Sequence, residues 1–255
     1  MTDSVFDEPP DLPPEAPPPP VDFAEFKKVV ESRRSVRLFT PEGVPEEQVR
    51  AALDLALLAP NSSNLQPWEF HWVRTPEKKA ALVEACLSQP AARTAAELIV
   101  CVARTDTWRA NRARMLEILG GQTGTPPAVL DYYRRLVPFV YTVGPLGLVA
   151  RLRGAAMWVV GLFRPAPREP ASRAELTTWA VKSAALACEN LMLAFRAQGW
   201  DTCPMEGMDS RRVRRLLGLP RGATVVMVVA AGRRSSKGVY GPRLRFDRAL
   251  FVREH

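Results

Sequence analysis

Histidine is almost absent from this chain of 255 residues, which has only His71 and His255. A Ser-His-Asp triad needs a histidine base, and catalytic or structural zinc sites use histidine or paired cysteines. The four cysteines, at positions 86, 101, 188 and 203, form no Cys-x-x-Cys pair. We therefore expect no metal site. We also expect the thiols to be reduced and buried, as in a cytoplasmic protein. If the protein is an enzyme, its reactive chemistry should come from a bound cofactor.

Long apolar runs and glycine-rich phosphate loops are also missing. The most apolar stretches, 136–150 and 154–163, are separated by Arg151 and Arg153, and both are shorter than the ~20 apolar residues of a spanning helix. No Gly-x-Gly-x-x-Gly follows a strand-like segment, which argues against a Rossmann domain. The sequence predicts no transmembrane segment. A lid over a hydrophobic pocket is the favoured interpretation of 136–163, and peripheral membrane contact is the alternative.

Charge and proline mark other features. The formal net charge is +8, and arginine supplies most of it in positions spread along the chain, so we expect no nucleic-acid partner. A non-enzymatic basic module that binds nucleic acid or anionic lipid remains a rival hypothesis. Residues 1–21 are acidic and rich in proline and predict a disordered tail, with a PxxP-like docking segment as the less favoured interpretation.

The remaining chain mixes helical and strand patterns without strict βαβ alternation. The cap residues Asp22, Ser172 and Asp209 precede helical patterns, and Ser172 with Glu175 has the spacing of a capping box. Residues 106–171 form the least regular part. The predicted helices begin near positions 22, 46, 76, 172 and 209, and the predicted strands are 68–73, 98–102 and 223–230.

Two polar segments carry chemical interest. Arg33-Arg34-Ser35-Val36-Arg37 puts three guanidinium groups at a helix end, where their paired donors can bind phosphate or the edge of a planar acceptor. The loop Pro60-Asn-Ser-Ser-Asn-Leu-Gln-Pro-Trp68 presents amides and hydroxyls between prolines, which suits a polar heterocycle or a ribityl chain. Taken alone, the first segment has the composition of solvated surface and the second that of an ordinary turn anchored by Trp68.

Together these segments resemble the FMN-binding nitroreductase family. The likeness continues in Asn190–Ala194, in Gly199–Gly207 and in the closing Arg243-x-Arg245, and it covers the domain 22–255 except for the divergent, lid-like insert at 106–171. The resemblance implies an α+β fold in which helices flank a central, mostly antiparallel sheet. It also implies an intertwined homodimer that binds one FMN at each end of its interface.

The resemblance assigns roles to particular residues. Arg33 would meet the FMN phosphate, and Arg37 would lie near the pyrimidine edge of the flavin. The loop residues would reach the partner's FMN, and the Glu206–Gly207 loop would face the reactive nitrogen through a backbone N–H. Glu206, Gly207 and Arg37 are thus the expected catalytic residues. The full expected cofactor set is Arg33, Arg34, Ser35, Arg37, Pro60, Asn61, Ser62, Asn64, Glu206, Gly207, Arg243 and Arg245.

The function implied is a two-step redox cycle in which NADH or NADPH reduces FMN and a nitroaromatic, quinone or enone then takes the electrons. An FMN-dependent dehydrogenase or dehalogenase acting on a biosynthetic intermediate is the alternative. The chain departs from the family pattern at Asn61, where serine is common. The family also often has a polar or basic flavin contact just before the second strand. Here Ser88, Gln89 and Arg93 occur, and none of them is assigned to that contact.

Overall fold

A four-stranded antiparallel sheet forms the centre of the protein. The computed structural model describes residues 16–255, so most of the tail expected at 1–21 lies outside the described residues. The strands are β1 (Trp68–Val73), β2 (Glu97–Arg104), β3 (Asp201–Met205) and β4 (Ala223–Gly232). They lie in the order β1-β2-β4-β3, and each neighbouring pair is antiparallel. The predicted α+β class is confirmed.

Helices surround this sheet and also build most of the segment 106–171. They are α1 (Phe23–Ser32), α2 (Glu46–Leu57), α3 (Pro76–Ala85), α4 (Pro90–Thr94), α5 (Trp108–Gly121), α6 (Pro127–Asp131), α7 (Val137–Tyr141), α8 (Leu148–Val160), α9 (Arg173–Ala197) and α10 (Ser210–Leu217). A π-helical turn, Tyr132–Leu136, joins α6 to α7. The segment expected to be the least regular part of the chain is thus mostly helical but broken into short pieces, because Gly120-Gly121 and the prolines mark helix ends and short helices.

Both faces of the central strands are buried. Along β2, Ile99 and Cys101 pack with α2 and α9, whereas Val100 and Val102 pack with α3 and α10 on the other side. Alternation with a period of two sends neighbouring side chains to opposite faces. Burial of such an aliphatic side chain stabilises the fold by about 1.5–3 kcal/mol, which explains why these runs are continuously apolar.

Side-chain caps fix the ends of several helices. Asp22 and Asp209 accept backbone N–H groups of the first turns of α1 and α10, as predicted. At α9, Ser172 Oγ accepts the Glu175 N–H at 3.1 Å, but the Glu175 carboxylate accepts the N–H of Ala171 at 2.5 Å. The return bond of the capping box is therefore displaced by one residue from the predicted pattern.

Several large apolar side chains on the helices are exposed in the single chain. Leu57 on α2 is 47% exposed, and Phe23 and Phe26 on α1 are more exposed still. Trp158 is also exposed on α8. A helical pattern identifies an apolar face but not what covers it.

The segment with the most apolar sequence does not form one long helix. Among residues 16–255, no single helix is long and apolar enough to cross a membrane. The segments Pro127–Tyr141 and Pro145–Val160 meet the required length and composition only when taken together, and they are bent by 82°.

Candidate functional site

The arginine segment leaves α1 as an extended strand-like stretch held on both sides. Val36 donates its N–H to the Thr202 carbonyl of β3 at 3.0 Å, and Arg37 donates to the Gly238 carbonyl at 2.6 Å. The side chain of Val36 is fully buried in the core. Because alternate residues of an extended chain point in opposite directions, burying Val36 turns Ser35 and Arg37 toward the other side.

The C-terminal segment closes over that side. Arg243 Nη2 donates to the carbonyl of Glu31 at 2.8 Å and also to that of Arg33, and Arg34 Nη2 donates to the Gly241 carbonyl at 2.6 Å. Two segments more than 200 positions apart in sequence are thereby joined by guanidinium–carbonyl bonds. Such bonds use only part of each guanidinium fork, so other donors remain for a ligand.

The two segments enclose a cavity of about 310 Å³ with a strongly basic lining. No Asp or Glu lines it. Its polar and charged lining residues are Arg33, Arg34, Ser35, Arg37, Tyr240, Arg243 and Arg245. The pKa of Arg243 is lowered, first by partial loss of solvent and then by the positive charges of Arg245, Arg34 and Arg33. An anion such as phosphate would relieve this mutual repulsion, so the donor set fits a phosphorylated ligand.

The Glu206–Gly207 loop follows β3 directly. Arg37 and Arg33 are close enough to Cys203 on β3 to oppose the burial that raises the pKa of its thiol. Since an extended chain advances ~3.3 Å per residue, Gly207 lies within ~13 Å of Cys203. The loop therefore begins close to the basic cavity, although neither Glu206 nor Gly207 lines it.

Gln89 is a site residue that sequence reasoning did not assign. Its Nε2 donates to the Gly207 carbonyl at 2.6 Å. Leu87 and Ser88, just before it, have left-handed backbone with φ of 58° and 49°, and this turn directs the following residue toward the loop. The only indication in the sequence was a polar residue before the second strand. Ser88 and Arg93 meet that description as well, so the sequence did not distinguish Gln89 from them.

The loop that contains Pro60, Asn61, Ser62 and Asn64 does not line the basic cavity. It folds back on itself, with Asn61 Oδ1 accepting the Gln66 N–H at 2.7 Å. The backbone is left-handed at Ser63 and Asn64, with φ of 56° and 47°. This conformation costs ~1–2 kcal/mol per residue, so neighbouring contacts must hold the loop in place.

Tyrosines of the insert supply those contacts. Tyr133 donates its hydroxyl to the Ser63 carbonyl at 3.0 Å, and Tyr141 donates to the Ser62 carbonyl at 3.3 Å and to its Oγ at 3.0 Å. Burial raises the pKa of both tyrosines, so they remain protonated donors at neutral pH. No local pattern in the sequence indicates these contacts, because they join positions about 70 to 80 residues apart.

A small aromatic core stands behind the tyrosines. Leu65 of the loop packs there with Trp108, Leu176 and the rings of Tyr133 and Tyr141. The α5–α7 half of the insert is thus fastened to the polar loop.

Three methionines, Trp179 and the arginine-rich helix α10 have structural roles outside the cavity. Met192 and Met205 are buried in the core, and Met208 packs against it. Trp179 is partly buried and packs against the aromatic core. In the basic run 211–215 Val213 points inward, and most of the arginines are exposed, as expected of a solvated helix face.

None of the cysteines lines the basic cavity. All four cysteines are free and buried, and burial raises the pKa of Cys86 to about 11. Within the described part of the chain, no cluster of three or more His, Cys, Asp or Glu could hold a metal ion.

The fold and the basic cavity define an α+β protein in which two distant segments form an arginine-lined cavity. The Nitroreductase family model matches residues 30–233, and the chain belongs to the nitroreductase family. The resemblance inferred from the motifs is confirmed.

Relatives with known names cover most of the chain. It is similar to an NADH dehydrogenase of Thermus thermophilus, with 29% identity over 90% of this chain and 96% of the relative. It also resembles a 4-nitrobenzoate reductase of a Nocardioides species, with 28% identity over 81% of this chain and 79% of the relative.

Solved structures share the fold. A nitroreductase-type protein of Exiguobacterium sibiricum, crystallised in complex with FMN, aligns with a TM-score of 0.65 at 22% identity over 90% of this chain and 97% of its own. A gut-bacterial enone reductase aligns with a TM-score of 0.61 at 21% identity over 90% of this chain and 97% of its own. The predicted nitroreductase-like fold is confirmed.

Proposed function

We propose that this protein is an FMN-dependent oxidoreductase that is reduced by NADH or NADPH and passes the electrons to a nitroaromatic, quinone or enone acceptor. The observation that carries the proposal is the cavity in which Arg33, Arg37, Arg243 and Arg245 converge, next to the Glu206–Gly207 loop. The FMN in the Exiguobacterium structure supports the choice of cofactor.

The arginines divide the work of holding the cofactor. Arg33, Arg243 and Arg245 would bind the phosphate as charge-assisted donors, with Arg34 and Ser35 beside them. Arg243 is already fixed by its bonds to the carbonyls of Glu31 and Arg33, so little side-chain entropy is lost on binding.

Arg37 acts on the redox chemistry. The flavin, when bound, accepts a hydride and releases electrons, and its reduced ring carries negative charge. The Arg37 guanidinium, placed near the pyrimidine edge, would favour that charge and raise the reduction potential. The Glu206–Gly207 loop would present a backbone N–H to the reactive nitrogen, and Gln89 holds that loop through the Gly207 carbonyl at 2.6 Å.

The polar loop serves the cofactor of a second subunit in a homodimer. Within one chain the loop does not line the basic cavity, although Ser62 and Asn64 match the family's cofactor motif and Asn61 replaces a common serine with another polar residue. Exposed apolar side chains on α1 and at the C-terminal end of α2, including Phe23, Phe26 and Leu58, supply a surface that a partner would cover.

The names of relatives support the proposed electron donor and acceptor. One similar protein is named as an NADH dehydrogenase, another as a 4-nitrobenzoate reductase, and a structural neighbour as an enone reductase. The buried thiols suit a reducing compartment, and we propose the cytoplasm.

A visible spectrum of the purified protein tests the cofactor. We expect a yellow protein that is bleached by NADH or NADPH without oxygen and regains its colour when 4-nitrobenzoate, a quinone or an enone is added. A colourless protein that does not bind added FMN would refute the proposal and favour the basic binding module.

An arginine pair tests the phosphate site. Arg243→Gln removes a charged donor of the cavity and should weaken FMN binding by about 10- to 100-fold, since a hydrogen bond to a charged group is worth ~1.5–3 kcal/mol. Arg211→Gln on the exposed face of α10 is the matched control and should leave FMN affinity unchanged. Equal affinity of the two variants would place the phosphate elsewhere.

A second candidate is an FMN-dependent dehydrogenase or dehalogenase that acts on one biosynthetic intermediate. The aromatic core of the insert, with Trp108, Tyr133 and Tyr141 behind the polar loop, favours it because such a core can support a dedicated pocket. FMN that stays oxidised with both nicotinamides would support this candidate over the first.

A further inference from the structure

Helix α8 and the turn that follows it expose an almost wholly apolar half-cylinder. With 3.6 residues per turn, Leu152 and Val159 fall along its centre, and Arg151 is the one charged side chain in that half. The large apolar side chains on this face are 51% to 85% exposed. They are Leu148, Leu152, Trp158, Val159, Leu162 and Phe163.

The opposite half of α8 is fastened to the rest of the insert. Arg153 donates to the carbonyls of Thr142 at 2.9 Å and Pro170 at 2.6 Å. Ala150 is buried, and a Cβ at Gly154 would lie 2.6 Å from that of Ala171, so the helix backbone approaches that segment closely. These contacts fix the orientation of the helix and leave its apolar half facing outward.

The charged residues of the segment that contains this helix have one sign. Between positions 132 and 168 there is no Asp or Glu, whereas arginine occurs at 134, 135, 151, 153, 164 and 168. Arg151, Arg164 and Arg168 are exposed. An arginine at the edge of an apolar face can bury its stem and keep its guanidinium among polar headgroups. Tryptophan beside it is typical of a helix that lies in a membrane interface.

We propose that α8 binds the surface of an anionic lipid membrane, with Leu152 and Val159 toward the acyl chains and the exposed arginines among the headgroups. The charge pattern favours lipid over a second copy of the chain. In a two-fold dimer that formed through α8, the same surface patch of both copies would face each other. The arginines of one copy would then lie against the arginines of the other, with no carboxylate from this segment to pair with them. An anionic bilayer complements both the apolar face and the charge.

Vesicle flotation of the full-length protein tests this proposal. We expect the protein to float with vesicles that contain phosphatidylglycerol, to bind pure phosphatidylcholine vesicles much less, and to be released by salt. Leu152→Glu should reduce binding at least tenfold, and Arg151→Gln should reduce it by about fivefold, which is the contribution of one basic residue near such a surface.

The control is Ile118→Glu on α5, because Ile118 has an exposure of 56%, close to the 63% of Leu152. It should bind vesicles like the unaltered chain, and circular dichroism checks that each variant is folded. Absence of binding, equal binding to both vesicle types, or equal binding by Leu152→Glu would overturn the proposal. So would a change of oligomeric state caused by Leu152→Glu, since that would show that a second copy covers the face. FMN content does not enter this readout, so it stands or falls separately from the proposed function.

Discussion

Removing the hydroxyls of Tyr133 and Tyr141 should release the polar loop and weaken FMN binding. The loop backbone is left-handed at Ser63, Asn64 and Gln66, which costs ~3–6 kcal/mol in total at ~1–2 kcal/mol per residue. Each tyrosine-to-phenylalanine change leaves a loop carbonyl without its donor and costs ~1–1.5 kcal/mol. The double variant therefore loses ~2–3 kcal/mol, which is a large part of the strain that the contacts oppose. If the loop must be ordered to contact FMN, the affinity should fall by ~30- to 100-fold.

FMN titration followed by flavin fluorescence measures this effect. Thr125→Val is the matched control, because Thr125 Oγ1 donates to the Leu119 carbonyl at 2.6 Å within the same insert and does not contact the loop. It should leave FMN affinity within about twofold. Unchanged affinity in the Tyr133→Phe, Tyr141→Phe double variant, with the fold retained by circular dichroism, would refute the coupling between insert and loop. An equal loss in Thr125→Val would mean that the insert acts only through general stability.

Three further outcomes are expected. Gln89→Leu removes the donor to the Gly207 carbonyl. We expect this variant to keep its FMN and to lose about tenfold in kcat. A loss of FMN with a normal kcat per bound flavin would contradict this expectation. Asp201 is 5% exposed and is held by Arg196 at 3.0 Å and Arg234 at 2.6 Å, so Asp201→Ala should lower the free energy of unfolding in urea by ~3 kcal/mol, and a loss below ~1 kcal/mol would be inconsistent with a buried ion pair. Burial raises the pKa of Cys86 from 9.0 to about 11, so its contribution to stability is present below pH 9 and is lost as the pH rises to 11. At ~1.4 kcal/mol per pKa unit this loss reaches ~2.7 kcal/mol, and Cys86→Ala should show a correspondingly flatter stability curve over that range.

Elements with strong local signals were predicted well. β1 was predicted at its observed bounds, Trp68–Val73. The helix α9 (Arg173–Ala197) ends just before Gly199, which has a left-handed φ of 87°. These features depend on side-chain alternation, caps and a left-handed residue, which act over a few positions. β3 (Asp201–Met205) was not predicted as a strand, because its short sequence with Pro204 is strand only through pairing with β4.

The sequence by itself determined the family, the antiparallel α+β class and the residues of the two polar segments, because motif identity and local periodicity are written in the order of side chains. Only the tertiary structure brought the Arg33–Arg37 segment together with Arg243, connected Gln89 to Gly207, and turned the tyrosines of the insert onto the polar loop. It also decided that one half of α8 faces outward. Contacts between distant positions, and the choice of which apolar face is covered, depend on how whole elements pack, and a local pattern does not specify that packing.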